Sequence, residues 1–165
     1  MFLFVSMKKL HWIWYGEELP AKYVSNIEAM AMANLGWEIF LWSELPSLPL
    51  QDVLEKHGVQ YTFKNITKAL EGGLFMNGDL ISKDRNLAGK SDYTRMEILY
   101  LEGGIYQDTD AHPIQPFDNF GDIFRWPFGS YGTIYKVSKN VENVCFSFLL
   151  FFMTPSHKIY QSYGA

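Results

Sequence analysis

The sequence predicts an α/β fold with a mostly parallel central sheet and helices on its flanks. Strand patterns alternate with helical patterns along residues 8–107, and glycines follow several of the helical patterns. Strands that alternate with helices are typical of parallel sheets, because a crossover between parallel strands usually contains a helix. The length of 165 residues and a hydrophobic share of 48% suit one domain, residues 1–165, with a real core.

The first strand and the first helix come early in the chain. In KKLHWIWYG, residues 8–16, side chains alternate with the two-residue period of a strand. Pro20 suits the first turn of a following helix, in which apolar residues recur every three or four positions. Gly36 then provides a helix end. These residues predict a strand, a loop and a helix.

The same alternation continues through the middle of the chain. WEIFLW, residues 37–42, has a strand pattern, and LPLQDVLEKHG, residues 48–58, predicts a short helix. VQYTF, residues 59–63, predicts another strand. Residues 64–90 mix helical pieces with glycines and predict helices joined by loops.

A further helix and a short strand precede the most unusual motif. Ser91 or Asp92 is a good N-cap, the following residues favour a helix, and Gly103 suits its end. Residues 104–107 predict a short strand. The helix residues expected on one apolar side are Met96, Leu99 and Tyr100.

Composition and charge exclude some partners. A net charge of −4 with scattered lysines provides no basic surface, so we expect no nucleic-acid partner. The single cysteine, Cys145, lies in the apolar run VCFSFLLFFM, where a buried thiol in a reducing, cytoplasmic compartment is expected. That run has 10 residues, short of the ~20 that a membrane-spanning helix needs. We therefore expect no transmembrane segment, although peripheral membrane attachment stays open, and residues 1–9 are a weak candidate signal peptide.

Asp108 and Asp110 follow the short strand directly. Residues two apart on an extended chain point the same way, so the two carboxylates are expected to converge. With reference pKa values near ~3.9, both would be ionised and would repel each other unless a cation lay between them. Mg²⁺ or Mn²⁺ suits such oxygen ligands, and phosphate oxygens commonly complete the coordination shell.

Other interpretations of this Asp-Thr-Asp motif stay open or fail on the sequence. A solvated turn before Pro113 is the ordinary interpretation. A calcium-binding EF-hand fails, because Pro113 stands where that motif requires glycine. A phosphatase of the haloacid dehalogenase type, with Asp108 as its nucleophile, remains an alternative.

The motif and its surroundings resemble a known enzyme family. KSDYTRMEILYLEGGIYQDTDAHPIQPFD, together with LHWIWYG, is similar to glycosyltransferases with a DXD sugar-binding region. These include yeast-type initiating mannosyltransferases and, more distantly, the clostridial glucosylating toxins. The resemblance covers residues 8 to about 120. It implies a glycosyltransferase-A type fold with a Rossmann-like sheet, a UDP- or GDP-sugar donor, a Mn²⁺ or Mg²⁺ ion, and a hydroxyl acceptor on a glycan, lipid or protein.

The resemblance implies roles for residues on both sides of the donor. Trp14 matches the aromatic residue that stacks on the donor base, and the backbone of Ile13 would contact the base edge. Ser91 belongs to the same donor-binding set. Asp92 and Arg95 match the pair that holds the sugar hydroxyls. The alternatives are that Trp14 is a core residue and that Asp92 and Arg95 form an exposed ion pair on the first turn of a helix.

The remaining roles concern the metal and the ribose. Tyr106 matches a family tyrosine near the ribose, although a core position is equally expected. Asp108 matches the carboxylate that contacts both the ribose and the metal shell, and Asp110 matches the direct metal ligand. With Arg95, which would stabilise charge on the donor, Asp108 and Asp110 form the predicted catalytic set, and hexose or N-acetylhexosamine transfer is the predicted reaction.

The C-terminal part of the chain departs from the family pattern. Family members continue well beyond the DXD motif, whereas this sequence ends at Ala165. The tail loosely resembles the family's next strand and then a helix near TPSHKIYQSY. We therefore expect either a minimal form or a C-terminus truncated on the acceptor side, and a non-catalytic nucleotide-sugar-binding remnant is an alternative to an active enzyme.

Overall fold

The predicted strands form a single parallel sheet in the computed structural model, which describes residues 8–113 and 116–118. Within these residues the sheet has four strands in the order β3-β2-β1-β4. In chain order, the elements are β1 (Lys9–Trp14), α1 (Ala21–Ala33), β2 (Glu38–Ser43), α2 (Leu50–Lys56), β3 (Tyr61–Asn65), α3 (Ile66–Glu71), α4 (Gly78–Lys83), α5 (Leu87–Glu102) and β4 (Ile105–Tyr106).

Strand β1 lies inside the sheet and is covered on both faces. It pairs in parallel with β2, where Trp12 lies opposite Leu41, and with β4, where Leu10 lies opposite Ile105. One apolar cluster packs between the sheet and α1 and α2, and a second packs beneath α3, α4 and α5. Burial on both faces explains the dense run of large apolar residues in β1. The prediction of an α/β fold around a parallel sheet is confirmed.

The predicted start of helix α5 is wrong. The helix begins at Leu87, and Oδ1 of Asn86 caps it by accepting from the backbone N–H of Ala88 at 3.0 Å. Gly89 made this turn difficult to predict, because glycine disfavours the interior of a helix. A Cβ on Gly89 would lie 2.2 Å from the Asp84 carboxylate, so close packing explains the glycine. Ser91 and Asp92 therefore lie inside the helix, beyond its first turn.

The buried side of α5 also differs from the predicted one. Leu99 is buried as expected, but Met96 is 41% exposed and Tyr100 is only half-buried. The buried side includes Glu97, whose carboxylate accepts from the backbone N–H groups of Met76 and Asn77 at 3.1 and 2.8 Å and from the Asn77 amide at 2.6 Å. These bonds satisfy the oxygens of a buried carboxyl group that apolar periodicity does not predict.

Smaller differences concern the ends of other elements. Pro20 stands at the N-cap of α1, just outside the helix, and α1 ends three residues before Gly36. Strand β3 begins at Tyr61, because the preceding Val59 N–H bonds to the carbonyl of Leu54 and closes α2. Helices and loops between residues 64 and 90 are confirmed by α3 and α4.

Some predictions fall on residues that the structure does not describe. These are the weak signal-peptide candidate at the start, the buried environment of Cys145, and the strand and helix of the tail after residue 130. Among the described helices, none combines the length and the apolar character that a membrane span requires.

Candidate active site

A pocket of about 430 Å³ opens where β1 and β4 end. Ligands of parallel α/β sheets usually bind beyond the carboxyl ends of the strands, and this pocket has that position. Every site residue predicted from the sequence lines it: Ile13, Trp14, Ser91, Asp92, Arg95, Tyr106, Asp108 and Asp110. The fold therefore brings together three segments that are far apart in the sequence.

Trp14 forms one wall of the pocket at the end of β1. Its half-buried indole packs against the core and contacts the ring of Tyr23, with centroids 5.7 Å apart. Its carbonyl accepts from the Ser43 hydroxyl at 3.0 Å, which holds the strand end in place. The side chain of Ile13 is 4% exposed and belongs to the core. The tryptophan is thus both a core residue and a pocket residue.

Helix α5 contributes a charged pair to the opposite wall. Nη2 of Arg95 donates to the carboxylate of Asp92, one helical turn away. Nη1 of Arg95 lies 3.7 Å from Oδ1 of Asp108, and the guanidinium lies 5.3 Å from the ring centroid of Tyr106. The arginine side chain is only 16% exposed. The pair is therefore not an isolated surface ion pair, because the arginine extends across the pocket to a second carboxylate.

Tyr106 presents its hydroxyl group to the site while its ring packs in the core. The residue is 6% exposed, and its oxygen lies 3.4 Å from the Ser91 hydroxyl. Burial raises the pKa of Tyr106 above its ordinary value, and the charge of Asp108 raises it further. The phenol therefore stays protonated at neutral pH and retains an O–H group that can donate.

The Asp-Thr-Asp motif forms a turn, so the prediction of an extended conformation is wrong. The N–H of Ala111 donates to the carbonyl of Asp108 at 3.2 Å, with Thr109 and Asp110 between them. Both aspartates still line the pocket. The turn follows the end of β4 at Tyr106, and none of the strands in residues 8–113 pairs with the motif. The solvated-turn interpretation and the site interpretation are therefore compatible.

The environment of Asp108 disfavours its charge. Burial is the main cause that raises the pKa of this carboxyl above its ordinary value; the hydrogen bond from Tyr106 and the charge of Arg95 oppose the rise, while Asp110 and Asp92 add to it. The charge of Asp110 is among the smaller causes of the rise, in the direction expected for repulsion between neighbouring carboxylates. A cation between them would relieve this repulsion.

These residues fit a hard divalent cation for which the protein supplies only some of the ligands. Asp108 and Asp110 supply carboxylate oxygens, and residues 8–113 and 116–118 contain no group of three or more histidine, cysteine, aspartate or glutamate side chains arranged for a metal. Mg²⁺ and similar ions are commonly bound by one or two carboxylates while substrate phosphates and water fill the other positions. The described donor set matches that pattern.

Five further residues that the sequence patterns do not predict also line the pocket: Tyr15, Tyr23, Leu87, Ala88 and Thr109. Leu87 and Ala88 were missed because the start of α5 was misplaced. Tyr15 adjoins Trp14, and its hydroxyl bonds with that of Thr94 at 2.6 Å, while burial raises its pKa to about 12. Tyr23 carries no signal in the sequence, because only packing brings α1 beside the end of β1.

Fold and site together define an α/β domain with a pocket and an acidic turn at the carboxyl edge of its parallel sheet. Residues 20–124 match the sequence profile of the glycosyltransferase sugar-binding region containing a DXD motif. This match covers more than half of the chain. The chain belongs to that glycosyltransferase family.

A curated protein and a solved structure are among the proteins that are similar to the chain. The protein named Subversion of eukaryotic traffic protein A, from Legionella pneumophila subsp. pneumophila, is 30% identical over 126 residues. That alignment covers 74% of this chain and 19% of the relative, so the chain spans about a fifth of the relative's length. The solved structure of PaToxG glycosyltransferase superposes with a TM-score of 0.48 at 20% identity, covering 67% of this chain and 44% of that one.

Proposed function

We propose that the chain forms the donor-binding part of a metal-dependent glycosyltransferase. It transfers a hexose or N-acetylhexosamine from a UDP- or GDP-sugar to a hydroxyl group on a glycan, lipid or protein. The observation that carries this proposal is the shared pocket of Trp14, the Asp92–Arg95 pair and the Asp108–Asp110 turn. Family membership supports glycosyl transfer as the general reaction.

The donor base is assigned to the Trp14 side of the pocket. The indole offers a flat apolar face, and Tyr23 adds a second ring at an interplanar angle of 52°. A planar base gains stacking energy from such a surface, and the backbone of Ile13 beside it offers polar groups to the base edge. Tyr106 is assigned to the ribose, because it lines the pocket beside Asp108. Its O–H donates to Asp108, so its oxygen is assigned as an acceptor for a ribose hydroxyl group.

The sugar is assigned to the Asp92–Arg95 pair. The carboxylate of Asp92 is 60% exposed and accepts from sugar hydroxyl groups, whereas the guanidinium donates several bonds from a fixed plane. In the reaction, the bond from the anomeric carbon to the diphosphate breaks, a bond to the acceptor oxygen forms, and the acceptor hydroxyl group gives its proton to the departing diphosphate or to solvent. Negative charge then grows on the diphosphate, and Arg95 helps to stabilise it.

Mn²⁺ or Mg²⁺ is assigned to Asp108 and Asp110. When bound, the ion would neutralise charge on the departing diphosphate. The half-buried Asp108 and the exposed Asp110 differ in role: the first also pairs with Arg95, while the second is free to turn toward a cation.

A thermal-shift screen of UDP- and GDP-sugars, with and without Mn²⁺, tests the proposal. A nucleotide sugar that binds the native state should raise the melting temperature, and Mn²⁺ should increase the rise. Sugar release from the best donor then separates an enzyme from a non-catalytic binding remnant, which would bind without turnover. If no donor gives a metal-dependent shift, the proposal is wrong, and a phosphoryl adduct trapped on Asp108 would favour the phosphatase alternative instead.

A further inference from the structure

A residue of α1 holds the acidic turn from the side opposite α5. Nδ2 of Asn26 donates to the carbonyl of Thr109 at 3.1 Å across 83 positions of sequence. Asn26 is 7% exposed and does not line the pocket. Thr109 stands between the two motif aspartates. The bond therefore acts on the peptide that links Thr109 to Asp110.

The peptide between Thr109 and Asp110 is the central peptide of a β-turn, and its orientation differs between turn types. Since Ala111 N–H bonds to Asp108 O, Thr109 and Asp110 are the central residues of the turn. The common turn types differ mainly in the orientation of the peptide between the two central residues. A donor on the Thr109 carbonyl favours one orientation, and the direction of the Asp110 side chain depends on it.

The rest of the turn is held from the sheet. The N–H of Gln107 donates to the carbonyl of His11 at 3.0 Å, which fixes the chain just before Asp108. The Asn26 amide acts between the two carboxylates, and it comes from helix α1. Its position suits a residue that orients metal ligands without touching the metal.

We propose that Asn26 is a positioning residue for the cation site of Asp108 and Asp110. This inference rests on the proposed function, because it requires that the two aspartates hold a divalent cation. Residues that orient metal ligands through hydrogen bonds typically change metal affinity by about 10- to 100-fold when replaced. We expect an effect near the lower end for Asn26, because one of several restraints on the turn is lost.

The test measures Mn²⁺ affinity in the full chain rather than activity. Free Mn²⁺ is followed by electron paramagnetic resonance in the presence of UDP or GDP, whichever gives the larger metal-dependent thermal shift. Asn26→Ala should weaken Mn²⁺ binding about tenfold, while nucleotide binding without metal stays unchanged. Ser25→Ala is the matched control, because that exposed hydroxyl donates to the carbonyl of Ala21 in the same helix and is one residue away from Asn26.

A second variant keeps the test usable if Asn26→Ala does not fold. Asn26→Asp keeps the shape of the side chain but replaces the amide donor with a carboxylate, so it should weaken Mn²⁺ binding as well. Unchanged Mn²⁺ affinity in a folded Asn26→Ala protein would overturn the positioning role, as would unfolding of both variants. If the wild-type chain shows no metal-dependent binding of either nucleotide, the result contradicts the proposed function itself and, with it, the positioning role of Asn26.

Discussion

Nη1 of Arg95 lies 3.7 Å from Oδ1 of Asp108, across the gap between α5 and the turn that follows β4. The same guanidinium pairs with Asp92 on its own helix. One arginine therefore connects the assigned sugar side of the pocket with the assigned metal side. This arrangement makes Arg95 sensitive to substitutions that keep charge but lose the planar shape.

Arg95→Lys should weaken nucleotide-sugar binding by about 10- to 100-fold, since hydrogen bonds to charged groups are worth ~1.5–3 kcal/mol. Lysine keeps the charge but cannot reach two carboxylates with a fixed fork of donors. Isothermal titration with the best donor measures the change. The matched control is Arg85→Lys, at an exposed position before α5; an equal loss of affinity in both variants would refute the assignment.

Asp110→Asn should abolish the dependence of donor binding on Mn²⁺ while the fold remains intact. The substitution removes a charge from an exposed side chain without changing its volume, and divalent cations need that charge. Melting curves with donor, recorded with and without Mn²⁺, measure the effect. Asp79→Asn, whose parent side chain is 92% exposed on α4, is the control. A metal response that survives in Asp110→Asn would show that the ion binds elsewhere.

Asp108→Asn should raise the melting temperature at neutral pH, by a few degrees at most because the carboxylate is partly solvated. The folded state raises the pKa of Asp108, so it binds the proton more readily than the unfolded chain does. The ionised carboxylate therefore destabilises the fold at neutral pH. Protonation removes this penalty as pH falls through the folded-state pKa.

The pH dependence provides the check on that prediction. Below about pH 4, the reference range for an aspartate, Asp108 is protonated in both states and the advantage of the asparagine variant should vanish. Melting temperatures of both proteins across this range measure the difference. An advantage that is constant with pH would mean that the charge of Asp108 is not its cause.

Trp14→Leu should weaken binding of the nucleotide by ~1–3 kcal/mol, the range for stacking of one base on an aromatic side chain. Isothermal titration calorimetry with UDP or GDP measures the loss, and its signal does not depend on tryptophan fluorescence. Trp12→Leu is the comparison, because Trp12 is 2% exposed inside the core. That variant should lower stability and leave the affinity of the remaining folded protein unchanged. The opposite pattern would place the base elsewhere.

The sequence carried the local features of this protein. Dense apolar runs in the strands, and the glycines at 58 and 103 that follow α2 and α5, indicated an α/β fold, because these patterns depend on neighbours within a few residues. The site residues were found through the similarity of the whole motif to a family, since two aspartates alone also fit a turn.

Only the tertiary structure decided which distant residues support the site. Tyr23 and Asn26 lie on α1, whose place beside Trp14 and Thr109 follows from packing of the helix against the sheet. Glu97 is buried although carboxylates are usually exposed, because backbone N–H groups of a loop donate hydrogen bonds to it. Such contacts join segments tens of residues apart, and they form only when the crossover helices pack on the sheet. They therefore produce no periodic pattern in the sequence.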